Sequence, residues 1–127
     1  MDKKIPLKDN LIIDKTFSFA IEIIKYCEHL QNERRFVVAN QLLRSGTAIG
    51  ANSREAQNAE SKADFIHKFK IAAKEADETE YWLLLCESAY KDPQCTHLLN
   101  EIKIIQKIIT KIIASSKHSS TNRQINK

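Results

Sequence analysis

Glycine and proline are scarce in this chain, and their scarcity limits the possible folds more than any other feature. The 127 residues include two Gly and two Pro, where average usage would give roughly fifteen together. Sandwiches and barrels of β-strands need a turn about every 8–12 residues, and this chain lacks the residues that make such turns. Apolar residues make up 43% of the chain, enough for one packed core. The composition therefore predicts a single helical domain.

Apolar residues recur at alternating steps of three and four, the spacing of one helix face. The first helix is predicted over about 11–31 and the second over about 33–58. A third begins at the capping sequence Ser61-Lys-Ala-Asp64, and a fourth follows Asp92-Pro93 and ends near Ala114. Short loops between four helices predict an all-α, up-and-down antiparallel four-helix bundle over 11–114. Residues 1–10 are expected to form an N-terminal arm, and the basic segment 115–127 a disordered tail.

Both glycines fall inside the second predicted helix. Each costs about 1 kcal/mol relative to Ala, but the apolar seam continues across Gly46 and Gly50, which favours one unbroken helix. With Ala48 and Ala51 they form a stretch of small side chains where another helix can approach closely. The sequence leaves open whether that helix belongs to the same subunit or to another.

Several classes of protein are excluded by what the sequence lacks. Three cysteines at wide spacing argue against a disulfide framework or a zinc knuckle, and favour a reducing, cytoplasmic location. The longest apolar run, residues 81–86, is far too short to span a membrane. A di-metal bundle needs two Glu-x-x-His motifs, and the chain offers one approximation, Asp64 to His67. We therefore expect no enzymatic activity, no metal and no cofactor.

Polar side chains lie beside the apolar seams of the second and third helices, where an unpaired polar group would cost about 1–3 kcal/mol. They are predicted to form a network of Arg44, Asn52, Glu55, Lys74, Glu75, Glu78 and Tyr81. Three interpretations are open: solvated helix edges that never meet, a pocket for nucleic acid or a partner, or a buried network that fixes register within or between subunits. We favour the third.

Positive charge is concentrated near the end of the chain. Residues 93–127 carry six basic and one acidic side chain. Lys103, Lys107 and Lys111 recur every four residues and so form a ridge on one side of the fourth helix. This basic ridge could bind an anionic partner such as RNA, or it could be a solvated face that keeps the protein soluble.

The first helix has two apolar seams, more than one neighbouring helix requires. One seam contains Ile13, Phe17 and Ile24, which we expect to face the core. The flanking residues expected to line an oligomer interface are Phe19, Ile23, Tyr26 and Trp82. Trp and Tyr are typical anchors of interfaces, and an exposed patch of this kind promotes association. The pattern predicts a homo-oligomer with cyclic symmetry.

Two blocks, 41–56 and 64–83, carry a family resemblance. The first reads QLLRSGTAIGANSREA and the second DFIHKFKIAAKEADETEYWL. They closely resemble the bacterial four helix bundle protein family, also called 23S rRNA intervening-sequence proteins. Accessory proteins of diversity-generating retroelements look like distant relatives. The family's recurring polar positions fall here on Arg44, Ser45, Asn52, Glu55, Lys74, Glu75, Glu78, Tyr81 and Trp82.

This resemblance implies a small bundle that assembles as a homopentamer and has no established enzymatic activity. The retroelement relatives bind nucleic acid and a reverse transcriptase through a basic surface. Our functional hypothesis is a non-enzymatic assembly module that binds RNA or a nucleic-acid-handling partner. The alternative is a structural or protein-partner scaffold without affinity for nucleic acid.

Overall fold

Four helices account for nearly all of the computed structural model, which describes residues 7–125 and, of these, the side chains of 11–118. They are α1 (Leu7–Asn32), α2 (Phe36–Ala56), α3 (Lys62–Tyr90) and α4 (Gln94–Ile125). Within these residues each helix packs against its two neighbours in a closed square, so α1 lies diagonally opposite α3 and α2 opposite α4. The predicted all-α four-helix bundle is confirmed. The first six residues of the predicted arm lie outside the described residues.

The turns between the helices are formed by capping side chains and by residues other than glycine that adopt the left-handed backbone conformation. Ser61 Oγ accepts a hydrogen bond from the Asp64 N–H at 3.0 Å, and Asp64 Oδ2 accepts one from the Glu60 N–H at 3.2 Å. Arg34 and Lys91 adopt φ values of 65° and 54°, a region that costs an ordinary residue about 1–2 kcal/mol. The described turns therefore contain no glycine, and the backbone conformations of Arg34 and Lys91 are modestly unfavourable.

The seam of α1 that faces the core is the one that contains Phe19, Ile23 and Tyr26, and not the one that we expected. Phe19 and Tyr26 are each 2% exposed and Ile23 is fully buried. Phe17, assigned to the core from the sequence, is 60% exposed. The prediction that Phe19, Ile23 and Tyr26 line an oligomer interface is therefore wrong, because these side chains fill the interior of one subunit.

The small-residue face of α2 packs against α1 of the same chain. A Cβ atom added at Gly46 would lie 2.8 Å from Cγ2 of Ile23, and one added at Gly50 would lie 3.2 Å from Oγ1 of Thr16. The predicted close helix contact therefore exists, and it lies within the subunit.

Helix α4 extends eleven residues beyond its predicted end at Ala114. Segment 115–125 is polar, but it contains no Gly or Pro to end a helix. Adding a residue to a helix that is already formed costs far less than starting one. The structure therefore places residues 115–125 in α4.

Candidate functional site

An arginine on α2 joins two carboxylates on α3. Arg44 Nη1 donates to Glu75 Oε1 at 3.2 Å, and Nη2 forms an ion pair with Glu78. Glu78 Oε2 also accepts a hydrogen bond from Trp82 Nε1 at 3.0 Å. We call these four residues the Arg44 cluster. They connect the facing edges of α2 and α3, as the sequence predicted for Arg44, Glu75 and Glu78.

The Arg44 cluster lies at the surface. The side chains of Arg44, Glu75 and Glu78 are 49%, 21% and 36% exposed. Hydrogen bonds from Arg44 and then from Trp82 lower the pKa of Glu78, and the hydrogen bond to Glu78 raises the pKa of Arg44. The interpretation as a buried network is wrong, since the long arginine side chain keeps its charged end near water.

The other predicted members of the network have separate partners. Asn52 donates to the Ala48 carbonyl of its own helix at 2.9 Å, and Glu55 pairs with Lys68 at 3.1 Å. Tyr81 is 57% exposed and meets the Trp82 ring edge to face at 5.7 Å. Lys74 is exposed and forms no ion pair with any side chain that the structure describes. The predicted network is therefore split into the Arg44 cluster and isolated contacts.

Because the Arg44 cluster is exposed, we expect Glu78→Ala to lower the free energy of unfolding only slightly. We expect a loss below about 1 kcal/mol, because exposed ion pairs are screened by water. Since the pKa of Glu78 is lowered from 4.5, this stabilisation is present above about pH 4.5 and disappears as the pH falls below it. Thermal melts between pH 3 and 7 (about the range over which carboxylates titrate) would measure the effect.

The matched control for Glu78→Ala is Glu87→Ala, which removes a carboxylate that, among the described residues, accepts one side-chain hydrogen bond, from Thr96 Oγ1 at 3.3 Å. Glu87→Ala should cost less at neutral pH. A loss of several kcal/mol in Glu78→Ala alone would contradict the surface placement of the cluster.

The basic ridge lies on the outer side of α4, and all three lysines are exposed. Lys103 Nζ pairs with Glu80 Oε2 at 2.9 Å. Hydrogen bonds from Lys103 and Gln106 lower the pKa of Glu80. Lys107 and Lys111 form no ion pair within the described part of the chain. The free positive charge of the ridge is therefore concentrated at its C-terminal end.

Two exposed apolar patches lie on diagonally opposite helices. The α1 patch consists of Phe17, Ile21 and Ile24, which are 60%, 39% and 43% exposed. The α3 patch consists of Tyr81, Leu84 and Leu85, which are 57%, 45% and 38% exposed. Trp82 is half-buried beside the α3 patch. The sequence showed the two seams of α1 but could not tell which of them faces water.

Several buried polar contacts were not predicted. Thr79 Oγ1 donates to Ser45 Oγ at 2.9 Å between α3 and α2, and Tyr26 Oη lies 3.1 Å from Cys95 Sγ. All three cysteines are buried, and burial raises the pKa of Cys27 to about 12. These groups satisfy one another inside the core, and the described residues contain no cluster of three His, Cys, Asp or Glu suited to a metal ion.

Comparison with known proteins gives the chain's family. The family model described as 23S rRNA-intervening sequence protein matches residues 8–111. The chain belongs to this family. A search of curated proteins gives no match.

The segment matched by the family model, residues 8–111, spans the Arg44 cluster, both apolar patches and the basic ridge. A solved structure of a protein of unknown function from the S23 ribosomal protein family of Bacteroides thetaiotaomicron VPI-5482 is 46% identical to this chain. The match covers 84% of this chain and 98% of that one, with a TM-score of 0.81. In this chain, no helix within the described residues is both long and apolar enough to cross a membrane.

Proposed function

We propose that the protein is a non-enzymatic, cytoplasmic assembly module that forms a cyclic homo-oligomer and binds RNA or a nucleic-acid-handling partner. The observation that supports it best is the pair of apolar patches on opposite sides of the bundle. Monomeric proteins seldom expose clustered large apolar side chains, which usually mark a contact surface. The titratable groups that meet in the Arg44 cluster already satisfy one another, so no catalytic role is assigned to them.

The placement of the patches favours a particular kind of contact. Since α1 and α3 lie diagonally opposite each other, the two patches of one subunit belong to two separate surfaces, and each surface can contact a different neighbouring copy. A contact between the α1 patch of one copy and the α3 patch of the next is heterologous, and such contacts close into rings when the rotation per subunit allows it. Five subunits is the number implied by the family resemblance.

Oligomer formation would also increase the affinity of the basic ridge for RNA. In a ring joined through α1 and α3, α4 occupies one of the two remaining sides of every subunit. The exposed lysines Lys107 and Lys111 would then recur around one face of the assembly. Several weak phosphate contacts acting together bind an RNA far more tightly than one does. This argument favours RNA over a scaffold without nucleic-acid affinity.

A salt titration tests the RNA hypothesis. Binding of a structured RNA should weaken steeply between low and physiological salt, because phosphate contacts release counterions. Lys107→Ala should weaken binding and reduce the slope of log affinity against log salt by about one for each subunit whose Lys107 contacts the RNA. Fluorescence anisotropy of a labelled RNA hairpin measures both quantities.

The control for Lys107→Ala is Lys70→Ala, which removes an exposed lysine from α3 and should leave RNA binding unchanged. If the oligomer forms but binds no RNA at low salt, the scaffold alternative replaces the RNA hypothesis. Equal losses in both variants would rule out a specific role for the ridge.

A further inference from the structure

A cavity opens between α1 and α4 near the C-terminal part of α4. These two helices pack less extensively than the other three neighbouring pairs, and the gap exposes the ring of Phe65 on α3. The cavity has a volume of about 380 Å³ and is lined by Leu11, Phe65, Ile108, Ile112, Lys111, Ser115 and Ser116. Small-molecule sites in proteins usually measure about 300–1,000 Å³, so this cavity is large enough for a ligand.

The lining has a distinct chemical polarity. Phe65, Ile108 and Ile112 are half-buried and pack against the core, which gives the cavity an apolar floor. Among the side chains that the structure describes, Lys111 is the one charged group that lines the cavity, and Ser115 adds a hydroxyl group. An apolar surface beside one cation is complementary to a molecule with an apolar body and one anionic group.

A neighbouring cavity limits where the anionic group can lie. This second cavity shares Phe65 and Ser116 with the first and extends to Ser61 and Lys62 at the start of α3. Lys62 lines only this neighbouring cavity, whereas Lys111 lines the first one. The anionic group is therefore best placed at Lys111.

We propose that the cavity between α1 and α4 binds a small amphipathic anion, a medium-chain carboxylate in which the alkyl chain contacts Phe65, Ile108 and Ile112 and the carboxylate pairs with Lys111. This site shares Lys111 with the basic ridge, but it does not involve the apolar patches or Lys107. Alkyl burial supplies the affinity, and the ion pair selects an anionic head group over a neutral or cationic one.

Calorimetric titration of the full-length protein with decanoate, below its micelle concentration, tests the site. We expect saturable binding of one decanoate per chain, with no binding of decyltrimethylammonium. Lys111→Met keeps the apolar stem but removes the charge, and should weaken decanoate binding about fivefold. Lys107→Met removes a neighbouring lysine that does not line the cavity and should have no effect.

Filling the cavity gives a second, independent readout. Ile108→Trp should abolish binding, while Ile104→Trp, at an exposed position outside the cavity, should bind decanoate normally. Methyl NMR shifts on titration should be confined to Leu11, Ile108 and Ile112. The proposal is overturned if decanoate does not saturate, if Lys111→Met and Lys107→Met behave alike, or if a folded Ile108→Trp variant binds as well as the wild type.

Discussion

Replacing Gly46 by valine should destabilise the bundle by about 3 kcal/mol, although valine has the higher intrinsic helix propensity. The first added carbon would lie 2.8 Å from Cγ2 of Ile23, and the two γ carbons of valine need still more room. Ile23 is fully buried and β-branched, so its side chain has little freedom to move aside. Helices α1 and α2 would have to separate. Urea denaturation monitored by circular dichroism measures the loss.

Two further variants isolate the steric cause. Ala51→Val changes an exposed position of the same helix and should cost only about 0.5 kcal/mol through helix propensity. Ile23→Ala alone should cost about 2–5 kcal/mol, but much less in the Gly46→Val background, where it removes the clash. Additive losses in the double variant would show that the two side chains do not interact.

Local sequence signals predicted the elements of the fold well because each depends on only a few neighbouring residues. The capping sequence at Ser61 fixes the start of α3 through two hydrogen bonds. The apolar seam across Gly46 and Gly50 correctly predicted a continuous α2. Helix α4 continues past Ala114 although the following segment is polar, because that segment contains no Gly or Pro.

The choice between the two seams of α1 could not be made from the sequence. Thr16 places a polar side chain in the seam that contains Phe19 and Ile23. In the structure the Thr16 hydroxyl donates to the Ile12 carbonyl at 2.8 Å, so its polar group is satisfied in the interior. Thr16 also packs against Gly50. Its place in the core depends on a residue on another helix, which periodicity within α1 does not reveal.

The sequence predicted three residues of the Arg44 cluster, but not that the cluster is exposed. Charge pairing indicated that Arg44 meets Glu75 and Glu78, and it does. Helix periodicity placed these residues beside the core, but the length of an arginine side chain lets its charged end reach the surface. The exposed α1 patch was not predicted, because Phe17 and Ile24 were expected to face the core. The error about the α1 patch and the error about the core seam of α1 therefore have the same origin.

Single charges placed in either apolar patch should dissociate the proposed ring. Phe17→Glu and Tyr81→Glu change side chains of similar exposure, 60% and 57%, so neither should unfold the subunit. In an interface the new carboxylate would be buried without a partner, at a cost of several kcal/mol. Light scattering coupled to size exclusion should show a multiple of 14.6 kDa for the wild type and smaller species for each variant. Ile104→Glu, on α4 and outside both patches, should leave the oligomer intact.

Mixing the two variants tests the geometry of the contact. Each variant keeps one working patch: the α3 patch in Phe17→Glu and the α1 patch in Tyr81→Glu. If the contact is heterologous, these two surfaces still fit each other, and an equimolar mixture should form a heterodimer that cannot grow further. If each patch instead paired with the same patch of another copy, each variant alone would remain dimeric, and mixing would add nothing. A wild-type protein that stays at 14.6 kDa across micromolar concentrations would exclude the ring altogether, because the patches would then be exposed without a partner copy.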